Sequence, residues 1–236
     1  MNIINNLEHS EFFDDNGWYK DKPMTLKSAE ELVGGFSSPS KMVVPSTGFN
    51  TDACMKGSKL KFIKGSVCEG CYADKGFAKV FDKNVRPARD RRLHALKNKG
   101  WVTAWVYILN NKKIYQTHKI MRWQDSGDLQ SKEHLDNIIA VATATPDVIH
   151  WLPTKESNLV KSLGGVYPSN LIIRLSGSMV DGKAPNFKHT STVTTDITKV
   201  NCFASLPSTD SRWHDGCGEC RNCWDSSIQD IAYYKH

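Results

Sequence analysis

Residues 118–179 read HKIMRWQDSGDLQSKEHLDNIIAVATATPDVIHWLPTKESNLVKSLGGVYPSNLIIRLSGSM. Three runs in this stretch, 118–128, 147–157 and 170–179, pass from apolar residues into polar residues and glycine at their C-terminal side, as strands entering loops do. Between the first two runs, Ser131 is placed to cap a helix whose Leu135, Ile138, Ile139 and Ala142 form one apolar stripe. Between the second and third lies a shorter helical segment, NLVKSLGG. Strand, helix, strand, helix, strand is the pattern of parallel β/α units joined by right-handed crossovers. Ligands in such folds sit at the carboxyl ends of the strands. That rule picks out Gln124, Asp125, Ser126, Gly127 and Asp128 after the first strand. After the second it picks out Thr154, Lys155 and Glu156, and after the third Ser176, Gly177 and Ser178. Each set alone is an ordinary turn; three at successive strands mark a ligand position.

Outward from this stretch, the spacing predicts a helix over 101–109 with Trp101, Trp105 and Ile108 on one face, and another over 77–97, broken near Pro87. Arg89, Arg92 and Lys97 would share part of that second helix's surface, as a solvated face or as a contact for phosphate or nucleic acid. KMVVPS (41–46) reads as a short buried strand. Residues 1–40 form a polar N-terminal segment with a short helix around Ser28–Val33, ended by Gly34 and Gly35. The chain divides into this segment, a β/α core over 41–200, and a cysteine-rich segment over 201–236.

The charge of +6 and pI near 8.9 attract anions mildly and do not by themselves establish a nucleic-acid partner. No long apolar run predicts a membrane span, and MNIINNLEHSEFFDD is too acidic for a secretory signal, so the expected location is the cytoplasm. In a reducing compartment the 7 cysteines are poor disulfide candidates, and an odd number leaves one over. They fall into two groups, Cys54, Cys68 and Cys71, then Cys202, Cys217, Cys220 and Cys223.

The second group ends in DGCGECRNCWD, where Gly216 and Gly218 free the backbone for three thiolates to converge and Cys202 arrives from a separate segment. Four thiolates complete a [4Fe-4S] cluster, and equally a tetrahedral zinc ion. The first group has three thiols. Three ligands on a four-iron cluster leave one iron open to S-adenosylmethionine, while a lone CxxC also reads as half of a zinc ribbon completed by the second group. One centre or two would fit the count. Tyr72, Trp213 and Trp224 would shield such centres, and His118, His150 and His214 read first as structural residues.

CEGCYA, RWQDSGDLQSKEHLDNIIAVATATPDVIHWLPTKES and CGECRNCW together resemble the gene product 88 family of bacteriophages and mobile elements, over about 41–224. CxxCYA is also similar to the end of the cysteine motif in radical S-adenosylmethionine enzymes related to spore photoproduct lyase. That second resemblance implies a partial (β/α)6 barrel of the TIM type, with a cluster loop after KMVVPS held by Cys54, Cys68 and Cys71. It implies contacts to the cofactor from Ser126, Gly127 and Asp128, with Lys155, Glu156 and Ser176 facing the substrate. The pattern departs from those enzymes at one place: they put three residues between the first two thiols, and this chain puts thirteen, 55 to 67. The expectation is an iron-sulfur protein, with or without radical chemistry on an unidentified substrate. The rival is a metal-stapled binding protein that docks nucleic acid or another phage protein.

Overall fold

The computed structural model describes residues 23–235, so whatever the sequence predicts for 1–22 lies outside the described residues. The helices are α1 (Leu26–Leu32), α2 (Met55–Leu60), α3 (Gly76–Val80), α4 (Asp82–Ala95), α5 (Trp101–Asn111), α6 (Lys113–His118), α7 (Lys132–Ala144) and α8 (Ser157–Lys161). The strands are β1 (Ile120–Arg122), β2 (Ile149–Thr154), β3 (Leu171–Val180), β4 (Thr190–Thr194) and β5 (Asp230–Tyr234). All four neighbouring pairs are parallel and follow chain order, β1-β2-β3-β4-β5, in a sheet curled into a half-barrel. The architecture is thus mixed α/β.

Each β/α unit closes as its sequence directs. The Ser131 hydroxyl accepts the His134 amide at 3.0 Å, capping α7. The Asn170 side-chain amide donates to the carbonyls of Ala142, Thr145 and Val148, tying the C-terminal end of α7 to the start of β3. Thr25 and Ser28 form a capping box on α1.

Side chains paired across a parallel ladder point the same way, and neighbours along a strand alternate. Met121, Leu152, Leu171 and Ile173 therefore share one face, and they join Trp101, Trp105, Leu135 and Ile138 of the helices in the core. The opposite face carries Arg122, Trp151, Ile172, Arg174, Ser176, Ser191, Ile231 and Tyr233. The C-terminal segment lies against this face: Trp224 is buried and donates from Nε1 to the Met121 carbonyl at 2.8 Å. One apolar cluster runs from Met24, Ala29 and Leu32 through the sheet to Trp224, across both of the divisions drawn from composition.

Several local expectations need correction. KMVVPS forms no strand; Ser46 alone makes a single parallel bridge to Arg122, because Pro45 removes a donor beside it. The break in the long helix falls at Phe81, and Pro87 lies inside α4, close enough to its start to be tolerated. Arg92 leaves no surface to share with Arg89: it is buried and donates to the carbonyls of Gly48 and Phe36. The first strand is only 3 residues long, since 113–118 is helical and Lys119 reverses the chain at φ 52°. Ser176 and Gly177 are within β3, which runs on to Val180, and do not follow it. β4 and β5 come from sequence too rich in threonine and loop residues to have stood out.

Candidate functional site

The first thiol group gathers at the carboxyl ends of β1, β2 and β3. The loop between Cys54 and Cys68 is hooked onto the end of β3: the Val67 amide donates to the Ser178 carbonyl at 2.9 Å, and the Val180 amide to the Gly65 carbonyl at 2.9 Å. Cys54 precedes α2, whose first amide, Lys56, donates to the buried Glu156 carboxylate at 2.8 Å. Thus the residue after β2 fixes the helix that follows the first thiol. Gly57 supplies room. A Cβ there would stand 3.5 Å from the Cys54 sulfur and 3.7 Å from the Cys68 sulfur, so both thiols border the same small space.

Burial, with Asp128, Cys71 and Cys68 nearby, pushes the Cys54 thiol up to about 12. Burial also raises Cys68, opposed by the Lys155 ammonium. A thiol so raised stays protonated unless a cation joins it, and a metal is the usual one.

Asp128 is a connector. Its carboxylate accepts from the Leu129 amide at 2.7 Å, the Thr154 hydroxyl at 2.5 Å and the Lys155 amide at 2.8 Å, which binds the loop after β1 to the end of β2. Burial raises its pKa to about 6 against the pull of those donors. Gly127 has φ +75°, and a Cβ on it would meet the Phe49 Cβ at 2.8 Å. The Ser126 hydroxyl donates to Asp125 at 3.2 Å, and Lys155 Nζ to the Gly177 carbonyl at 3.1 Å. Ser176 accepts from Ser191 across the β3 and β4 ladder at 3.0 Å. Ser126, Gly127, Asp128 and Lys155 therefore border or brace the first thiol group, whereas Ser176 belongs to the sheet face that meets the C-terminal segment.

The second group lines one cavity: Cys202, Cys217, Cys220 and Cys223 with His214, Phe203 and Trp224. Backbone bonds set its walls. The Cys217 amide donates to the Lys41 carbonyl at 2.6 Å, the Cys220 amide to the Cys217 carbonyl at 2.6 Å, and the Cys202 amide to the Ala232 carbonyl of β5 at 3.2 Å. Cys223 lies 3.5 Å from the Tyr233 hydroxyl, and burial pushes its thiol up to about 12. Cys202 and Cys217 are raised as well, chiefly by burial. His214 is turned inward to the Gly216 carbonyl, while His150 is a core residue held by Trp123 and Thr145. Among the described residues, no three His, Cys, Asp or Glu side chains converge tightly enough, as placed, to hold a single metal ion.

Two arginines missed in the sequence organise this second site. Arg174, fully buried, donates to the carbonyls of Asn222, Cys223, Asp225 and Ile228 at 2.8–3.0 Å, so one guanidinium gathers the loop that presents Cys223. Arg122 stacks 4.6 Å from the Trp151 ring centre, and its buried Nε has no hydrogen-bond partner. A charged residue inside the apolar runs IMRW and LIIRL was the available signal, because a strand covered on both faces has no ordinary place for one.

A family model described as Gene product 88 matches residues 14–226. No curated protein and no solved structure matches the chain, and the likeness to radical S-adenosylmethionine enzymes finds no support there.

Proposed function

The chain belongs to the Gene product 88 family, and from that premise we propose that it is an iron-sulfur protein with two centres, one on each thiol group. The observation that carries this reading is the Cys54 and Cys68 sulfurs bordering the space Gly57 leaves, with Cys71 beside them, at the carboxyl ends of three parallel strands. A lone zinc ion, with bonds of about 2.3 Å and tetrahedral angles, draws its sulfurs to about 3.8 Å of one another. A four-iron cube carries its own sulfides and takes thiolates set wider. Thiols that share a neighbourhood without converging on one point agree better with the cube.

Cys202, Cys217, Cys220 and Cys223 would fill every protein position of the second cluster, which makes that centre a staple for the C-terminal segment. Cys54, Cys68 and Cys71 would leave one iron of the first without a protein ligand, where such a cluster can bind S-adenosylmethionine and supply the electron for its cleavage. The half-barrel, with Ser46 bridging beside β1 at a sixth position, supports a partial barrel of the (β/α)6 kind. Around the first centre, Glu156 holds α2 in place, Asp128 binds the two strand-end loops together, and Lys155 brings a cation beside Cys68.

The test is anaerobic reconstitution with iron and sulfide, followed by dithionite and S-adenosylmethionine. Formation of 5′-deoxyadenosine, lost in Cys54→Ser, is the expected result. Iron uptake with no binding of S-adenosylmethionine rejects the enzymic part, and uptake of zinc in place of iron rejects the clusters.

A further inference from the structure

We propose that Arg122 is a cation shared by the two thiol groups, placed so that its charge sets the redox balance of both. The inference rests on the iron-sulfur reading above. On one side, the Arg122 guanidinium lies 4.6 Å from the Trp151 ring centre, Trp151 packs edge-on against Trp224 at 5.2 Å, and Trp224 directly follows Cys223. On the other side, Tyr72 directly follows Cys71; its hydroxyl donates to the Asp125 carbonyl and lies within hydrogen-bonding reach of Arg122. The strand that carries Arg122 therefore touches the loops of both groups.

What singles out Arg122 is that its charge is not spent on a partner. Among the described residues it forms no ion pair with a carboxylate, and its buried Nε has no acceptor. Arg174, by contrast, meets carbonyls on Nε and both terminal nitrogens. A buried guanidinium held only by an aromatic face and a phenol is costly unless negative charge lies near it. Cys217 and Cys223 feel its field directly, as does Tyr72 beside Cys71. Thiolates loaded with iron would supply the missing negative charge. A positive charge near a cluster favours the reduced, more negative form, so removing it lowers the potential.

The experiment compares wild type, Arg122→Gln and Arg122→Lys, each reconstituted anaerobically with iron and sulfide and titrated with dithionite in the presence of mediators. Each centre is followed by its electron paramagnetic resonance signal. Arg122→Gln is expected to lower both midpoint potentials at wild-type iron content, and Arg122→Lys to restore most of the shift. If Arg122→Gln does not retain iron, Trp151→Leu, which removes the ring that seats the guanidinium, is read in its place, with both potentials shifting. A shift at one centre only, or at neither, overturns the sharing while leaving the iron-sulfur reading intact. A wild-type protein that takes up no iron overturns both.

Discussion

Gly57 lies within α2, where glycine is a poor helix former, yet its missing side chain is what leaves space between Cys54 and Cys68. Gly57→Ala should gain about 0.5–1 kcal/mol of helix propensity, but its methyl would stand 3.0 Å from the Cys54 Cβ. The expected outcome is a thermal midpoint close to wild type with less iron bound per chain; unchanged iron would show that the space serves packing alone. Gly127 makes a second test. Gly127→Ala combines positive φ with a 2.8 Å contact to Phe49 and should cost about 2 kcal/mol or more in urea unfolding. Gly165→Ala, at φ +83° with nothing within 4 Å, should cost only about 1 kcal/mol.

His150 shows how burial sets pH dependence at the same scale. Trp123 Nε1 donates to Nδ1 at 3.2 Å, and the Thr145 hydroxyl gives its proton to the Val141 carbonyl, so Nε2 carries the hydrogen. Burial lowers the ring's pKa to about 3, as it does for His134. The unfolded chain takes up these protons below about pH 6.5 and the folded one does not. Their contribution is therefore complete above about pH 6.5 and is lost toward pH 3, at about 1.4 kcal/mol per histidine for each pH unit. His150→Gln, which keeps an acceptor and a donor, should show a shallower fall of the urea midpoint between pH 6 and 4. An unaltered slope would contradict the assignment.

At the scale of elements, the C-terminal segment depends on one side chain in β3. Arg174→Lys has too few donors and the wrong shape for the four carbonyls nearest the guanidinium. It should cost about 2–3 kcal/mol, from carbonyls left unpaired in a buried place. Faster hydrogen exchange across 217–229 would locate the damage there, and protection equal to wild type would show that the loop is held by other means. The β/α units were legible because α7, β2 and β3 each have a regular period and a cap or polar end. β4 and β5 were not. Their pairing is set by distant contacts, such as Asp230 accepting from the Thr190 and Thr192 hydroxyls, which local sequence does not announce. Pro45 turned the expected strand at 41–46 into a single bridge for a reason visible in the sequence but not weighed enough.

At the scale of the whole molecule, the sheet separates two tasks. One face joins the helices in an apolar core, and the other meets the cysteine-rich segment through Arg122, Trp151, Arg174 and Tyr233. Cysteine spacing alone disclosed the two groups, but it did not reveal that β1 passes between them, since neither arginine has a motif of its own. The strand-end residues also changed meaning: Asp128 and Glu156 hold the protein's own amides, so their first task is to fix the loops around the thiols.

Iron and acid-labile sulfide measured on anaerobically reconstituted protein test the account most directly. About eight of each per chain are expected from two four-iron clusters, falling to about half when Cys54, Cys68 and Cys71 are replaced by serine, and likewise for Cys202, Cys217, Cys220 and Cys223. Protein free of iron, or an iron content that neither set of substitutions changes, would contradict it.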